Sequence, residues 1–88
     1  MFIAIEHVIH DPEGFQERGE EVFPLPEEFI VHHFLPATDF TRAACLYEAP
    51  SIDRLQSYLD GKLGSASTQR YFAVAESVAM GLPNRAPA

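Results

Sequence analysis

Residues 43–59 constrain this chain more than any other stretch. Ala43-Ala44-Cys45-Leu46-Tyr47-Glu48 reads as a strand, and Ala49-Pro50-Ser51 then leads straight into a helix. Ser51 is placed to cap that helix, and Ile52, Leu55 and Leu59, with Leu63 beyond them, fall at spacings of three and four. Such a handover from period two to period 3.6 specifies an α+β unit. Upstream stand the adjacent His32 and His33, and the strand itself holds the only cysteine, Cys45. In a chain of 88 residues with four histidines and one thiol, most of the unusual chemistry therefore falls on what reads as one hairpin.

The remaining elements follow from local signals. Phe2 to Ile9 is rich in β-branched residues and too short before Pro12 for a useful helix, so it reads as a strand. One face carries Ile3, Ile5, His7 and Ile9; the other carries Phe2, Ala4, Glu6 and Val8. Asp11-Pro12 is an N-cap followed by proline at the first helical position, and a helix over 12–23 follows, ended by Pro24-Leu25-Pro26. Phe15, Gly19, Val22 and Phe23 form its apolar stripe, where Gly19 is expected to allow close approach to the sheet. Strands are expected over 29–35, 42–48 and 68–78, the first two joined by the loop 36–41. Gly61 and Gly64 punctuate the end of the second helix. The order βαββαβ is the ferredoxin-like arrangement, a four-stranded antiparallel sheet with two helices on one face. It forms a single domain over 1–83, with 84–88 expected to be a disordered tail.

Composition narrows the partners. A hydrophobic content of 47% is enough for one small core. Thirteen acidic residues against six basic ones give a net charge of −7, and seven of the acids lie between Asp11 and Glu28. That balance argues against nucleic acid and against anionic membrane surfaces, both of which call for a basic footprint. The first residues lack a basic region and an apolar run of signal-peptide type, and no run approaches the roughly 20 residues of a membrane helix. One cysteine forms no internal disulfide, so a cytoplasmic location is expected. Two helices cover one sheet face only, and Phe2, Val31, Leu46, Phe72 and Val74 exceed what they can hide. A homodimer, sheet face to sheet face, is expected.

Three constellations are candidates for a site. With Leu35 paired to Arg42, His32 stands opposite Cys45 and His7 can join them from the neighbouring strand; a shift of one residue exchanges His32 for His33. Imidazoles and a thiolate suit a divalent ion such as nickel or zinc, although no C-x-x-C or H-E-x-x-H spacing supports one and no motif requires a cofactor. The plainer reading makes Cys45 a small core hydrophobe and turns one of the histidines to solvent. Second, Glu6, Glu48 and Glu76 lie on strands expected to be adjacent, with His10 or His33 near, and would make an acidic cluster for a hard cation or a general base. The plainer reading leaves them as solvated strand ends near Arg42 and Arg70. Third, a ligand pocket between sheet and helices would be lined by His7, His32, His33, Cys45, Tyr47, Tyr58 and Tyr71. The plainer reading is a packed core whose Tyr hydroxyls reach the surface. No nucleophile–base–orienter triad and no phosphate-binding glycine loop is legible, so no catalytic residue is assigned.

The run His33-Phe34-Leu35-Pro36, then Cys45-Leu46-Tyr47-Glu48-Ala49-Pro50-Ser51, Leu63-Gly64 and Tyr71-Phe72, resembles a family of small uncharacterised bacterial proteins. The resemblance spans about 2–83. It implies the ferredoxin-like fold and a dimer of the α/β-barrel type, and a related actinobacterial protein is described as nickel-binding. No ligand position carries over from it. The expected role is the binding of a small molecule or a divalent metal ion without turnover. The alternatives are a cofactor-independent enzyme, monooxygenase-like or isomerase-like, of the dimeric α/β-barrel type, and a structural or interaction module.

Overall fold

A computed structural model describes residues 1–83. The chain runs β1 (Phe2–Ile9), α1 (Pro12–Glu21), β2 (Ile30–Pro36), β3 (Arg42–Glu48), α2 (Ile52–Leu63), a 3₁₀ turn (Gly64–Ala66) and β4 (Ser67–Ala73). All four strands pair antiparallel in one sheet of order β2-β3-β1-β4. This is the ferredoxin-like α+β fold expected from the element order. The expectation for 84–88 lies outside the described residues.

Both helices start where their caps are written. The Asp11 carboxylate accepts from the Gly14 N–H at 3.1 Å, and Ser51 Oγ accepts from the Arg54 N–H at 3.2 Å. A Cβ at position 14 would sit 2.4 Å from Asp11 Oδ2, so the cap itself explains the glycine. At Gly64 the backbone turns into the left-handed region, φ 56°, and the Arg18 guanidinium lies over the open face. Gly19 departs from expectation. Nothing comes within 4 Å of a Cβ built there, so it makes no close approach to the sheet and opens space instead.

The helix face of the sheet holds the core. Ile3, Ile5, Cys45 and Tyr47 are buried against Phe15, Leu55, Leu59 and Leu63. Tyr58 closes the far side, its hydroxyl donating to the Val22 carbonyl while the Lys62 ammonium lies 5.7 Å from its ring centre. The other face, followed through the strand register, carries Ala4, Glu6, Val8, Leu35, Ala44, Leu46, Arg70 and Phe72. Phe2 belongs to that face yet is only 3% exposed, with the His32 ring 5.5 Å away.

Two element ends and the hairpin register depart most from the reading of the sequence. Helix α1 stops at Glu21, and Val22 and Phe23 bond back to Gly19 and Glu20 carbonyls. Strand β4 ends at Ala73 rather than at 78, and just beyond it the Val74 N–H donates to the Phe2 carbonyl. The chain then turns, with Val78 and Ala79 N–H groups both on the Ala75 carbonyl. The hairpin register is the third. Phe34, not His32, stands opposite Cys45, since the loop is tightened to 37–41 with Phe40 at φ 59°. Beyond His33 a bulge inserts His32 as an extra residue, and Val31 resumes pairing opposite Tyr47.

Candidate functional site

Between α1 and the β2–β3 half of the sheet lies a cavity of about 620 Å³. Its walls are aromatic: Phe15 from α1, Phe34 from β2, Phe40 from the loop and Tyr47 from β3 all line it. Phe15 anchors this wall, with Phe34 stacked at 6.4 Å and Phe40 edge-on at 5.9 Å. Phe40 reaches the cavity because the left-handed backbone at its own position turns the chain there. Gly19 stands at the mouth, where a side chain would otherwise intrude.

The deep end of the cavity is polar. His7 and Cys45, 3% and 8% exposed, both line it. They sit on neighbouring strands two residues apart in register, His7 opposite Ala43 and Ile5 opposite Cys45, which brings Cys45 Sγ to 3.2 Å from His7 Nε2. On the other side of the ring His7 Nδ1 is 3.3 Å from Gln69 Oε1. Gln69 Nε2 donates to Asp60 Oδ1 at 2.8 Å, which fixes the amide with its oxygen toward His7. The Ser67 hydroxyl donates to that same oxygen, and the Tyr71 hydroxyl donates to Asp60 Oδ1 at 2.7 Å. An oxygen facing Nδ1 makes that nitrogen the N–H of a neutral ring. Nε2 then keeps its lone pair and accepts from the Cys45 thiol.

Burial dictates the charge states. Desolvation lowers the pKa of His7 below the ordinary imidazole value, against the raising effect of Gln69 and Asp60. Burial pushes the Cys45 thiol up to about 12, and it raises the Tyr47 and Tyr71 hydroxyls above their usual range. Near pH 7 the floor is therefore an uncharged imidazole facing an uncharged thiol. The in-line order Cys45–His7–Gln69 has the outline of a nucleophile, base and orienter, which the sequence did not disclose. Its thiol, however, is held protonated, the opposite of an activated nucleophile.

The residues singled out from sequence divide accordingly. His7, His32, His33, Cys45 and Tyr47 all border the cavity. Tyr58 and Tyr71 do not; the first closes the core beside Val22, and the second reaches His7 only through Asp60 and Gln69. The metal set His7, His32, His33, Cys45 is not assembled. The bulge sends His32 to Glu48, whose Oε1 accepts from Nε2 at 2.9 Å, while His7 and Cys45 hydrogen-bond to each other. Among the contacts of the carboxylates Glu6, Glu48 and Glu76 are Glu6 with Arg42 at 3.5 Å, Glu48 with His32, and Glu76 with the Phe2 N–H at 3.5 Å. Among the described residues no group of three His, Cys, Asp or Glu is arranged to hold a metal ion.

Gln69 and Asp60 were missed, although a signal existed. Ser67, Gln69 and Tyr71 alternate along one face of β4, the face whose pairing places them beside Ile9, His7 and Ile5. Polar groups repeating at period two on a buried face mark a hydrogen-bonded network. Compared with family models, curated proteins and solved structures, the chain matches none. The resemblance to the small bacterial family rests on its motifs alone.

Proposed function

We propose that this protein binds a small, largely apolar molecule in the cavity between α1 and the β2–β3 hairpin. The observation that carries the reading is the combination of an aromatic wall with one buried polar pair, His7 and Cys45, at its floor. Binding is favoured over metal capture, because two adjacent donors, one a thiol held protonated by burial, make a poor ligand set. It is favoured over turnover by a thiol nucleophile for the same reason. A single buried thiol suits a reducing, cytoplasmic setting, and among the described residues no helix is long and apolar enough to cross a membrane.

Titration with N-phenyl-1-naphthylamine, a neutral fluorophore, tests this reading. Saturable binding of one molecule per chain is expected. Gly19→Leu should weaken it at least tenfold by filling the mouth, while leaving the melting temperature unchanged or higher, since leucine favours the helix. Fluorophore binding that ignores Gly19→Leu would place any ligand elsewhere.

A homodimer through the outer sheet face is the second part of the proposal. Leu35 and Phe72 are 62% and 59% exposed there, with Val8 and Ile30 also open. Glu6, Arg42 and Arg70 give that face both signs of charge, so a second copy turned by a two-fold rotation can set opposite charges against one another.

A further inference from the structure

We infer that the cavity selects a neutral aromatic molecule bearing one hydroxyl donor, of the phenol or naphthol class, and that His7 Nε2 accepts its hydrogen bond. This rests on the pocket reading above and narrows it to a ligand class. Three observations lead there. The first is shape and surface: Phe15, Phe34, Phe40 and Tyr47 present ring faces and edges that match a flat aromatic body better than a flexible chain.

The second is charge. The lining includes Glu20, His32 and His33 and, among the described residues, no lysine or arginine. An anionic ligand would leave water for an apolar cavity with no lysine or arginine to answer its charge, where His32 is already engaged by Glu48, and burial penalises that heavily. A carboxylic acid or a phosphate is therefore the wrong class.

The third is the hydrogen-bond polarity of the floor. Asp60 fixes Gln69, and Gln69 fixes Nδ1 of His7 as the donor, so the other nitrogen of this cavity-lining ring is left as an acceptor. Its partner is the Cys45 thiol at 3.2 Å, a weak donor. A phenolic O–H is a stronger donor than S–H, so it displaces the thiol and gains a bond that a purely hydrocarbon ligand lacks. A ketone or ether, which only accepts, finds no such partner on Nε2.

Three probes of one shape separate the possibilities: 2-naphthol, naphthalene and 2-naphthoate, each titrated at pH 7.5. The expected order is naphthol about tenfold tighter than naphthalene, the upper end of one net hydrogen bond, with naphthoate weaker than both. His7→Phe should erase the advantage of naphthol while naphthalene still binds. Cys45→Ala, which removes the competing donor, should preserve or enlarge it. A reading free of substitutions is the ¹⁵N resonance of His7 Nε2. It should move on addition of naphthol and stay in place with naphthalene, so a His7→Phe chain that fails to fold leaves the question decidable. Equal affinity for naphthol and naphthalene, or naphthoate binding tightest, overturns the hydroxyl assignment and leaves the pocket intact. Failure of all three probes, with the Gly19-sensitive fluorophore also unbound, overturns the pocket and this inference together.

Discussion

His7 shows how one residue's surroundings set a property of the whole fold. Burial holds its pKa below the ordinary value of about 6.5. Between that value and the lower folded one, the unfolded chain takes up a proton that the folded chain refuses. Stability therefore falls as pH drops below about 6.5, until the folded ring titrates too. Cys45 works at the other end. Its thiol is pushed up to about 12 from an ordinary value near 9, so the unfolded state loses its proton first and stability falls as pH rises from about 9. Tyr47 and Tyr71, both raised by burial, steepen that alkaline loss. Urea midpoints measured across pH should peak between about 7 and 8.5. Relative to the parent, His7→Phe should flatten the acid limb and Cys45→Ala the alkaline one. An acid limb of unchanged slope in His7→Phe would mean that His7 is not the group buried uncharged.

At the scale of elements, the two helices place their weight differently. Helix α2 packs Leu55, Leu59 and Leu63 into the core, with Leu55 and Leu59 among the most deeply buried side chains. Leu59→Ala should cost about 2–5 kcal/mol in chemical denaturation, a large share of what so small a domain has. Helix α1 buries only Phe15 and spends its remaining inner surface on the cavity. Its two glycines, alike in sequence, should respond oppositely. Gly19→Ala meets open space and gains helix propensity, so it should raise stability by up to about 1 kcal/mol. Gly14→Ala collides with the Asp11 carboxylate that caps the helix, and loss of a cap worth about 1 kcal/mol offsets the same gain. Thermal melts of the two variants should rank Gly19→Ala clearly above Gly14→Ala. The reverse order would show that Asp11 does not cap α1.

At the scale of the molecule, two faces of one sheet have different fates. The inner face is filled by the helices and the cavity. The outer face leaves Val8, Ile30, Leu35 and Phe72 open around Glu6, Arg42 and Arg70. Light scattering at micromolar concentration should report twice the chain mass of 9.8 kDa. Phe72→Arg and Leu35→Glu should each shift the population to monomer without lowering ligand affinity, because neither residue lines the cavity. A parent chain that scatters as a monomer would overturn the dimer, and a dimer that survives both substitutions would move its contact to another face.

The division between what was legible in the sequence and what was not follows the range of the interactions involved. Caps, helical stripes and strand alternation act over a few residues, so the βαββαβ order, the Asp11 and Ser51 caps and the buried Leu55 and Leu59 could be read directly. The membership of the site could be read in part, because His7, Cys45 and Tyr47 lie on strand positions facing the helices. Its geometry could not. A positive φ at Phe40 accompanies a loop that sets Phe34 rather than His32 opposite Cys45, and one extra residue at His32 then takes that side chain out of the pairing. That register turns a would-be cluster of ligands into an aromatic wall with one His–Cys pair. The tautomer of His7 depends on Gln69 and Asp60, 62 and 9 residues from their partners along the chain. Only the folded sheet brings those groups within hydrogen-bonding distance, and only its packing takes the His7 ring out of the water that favours its charged form.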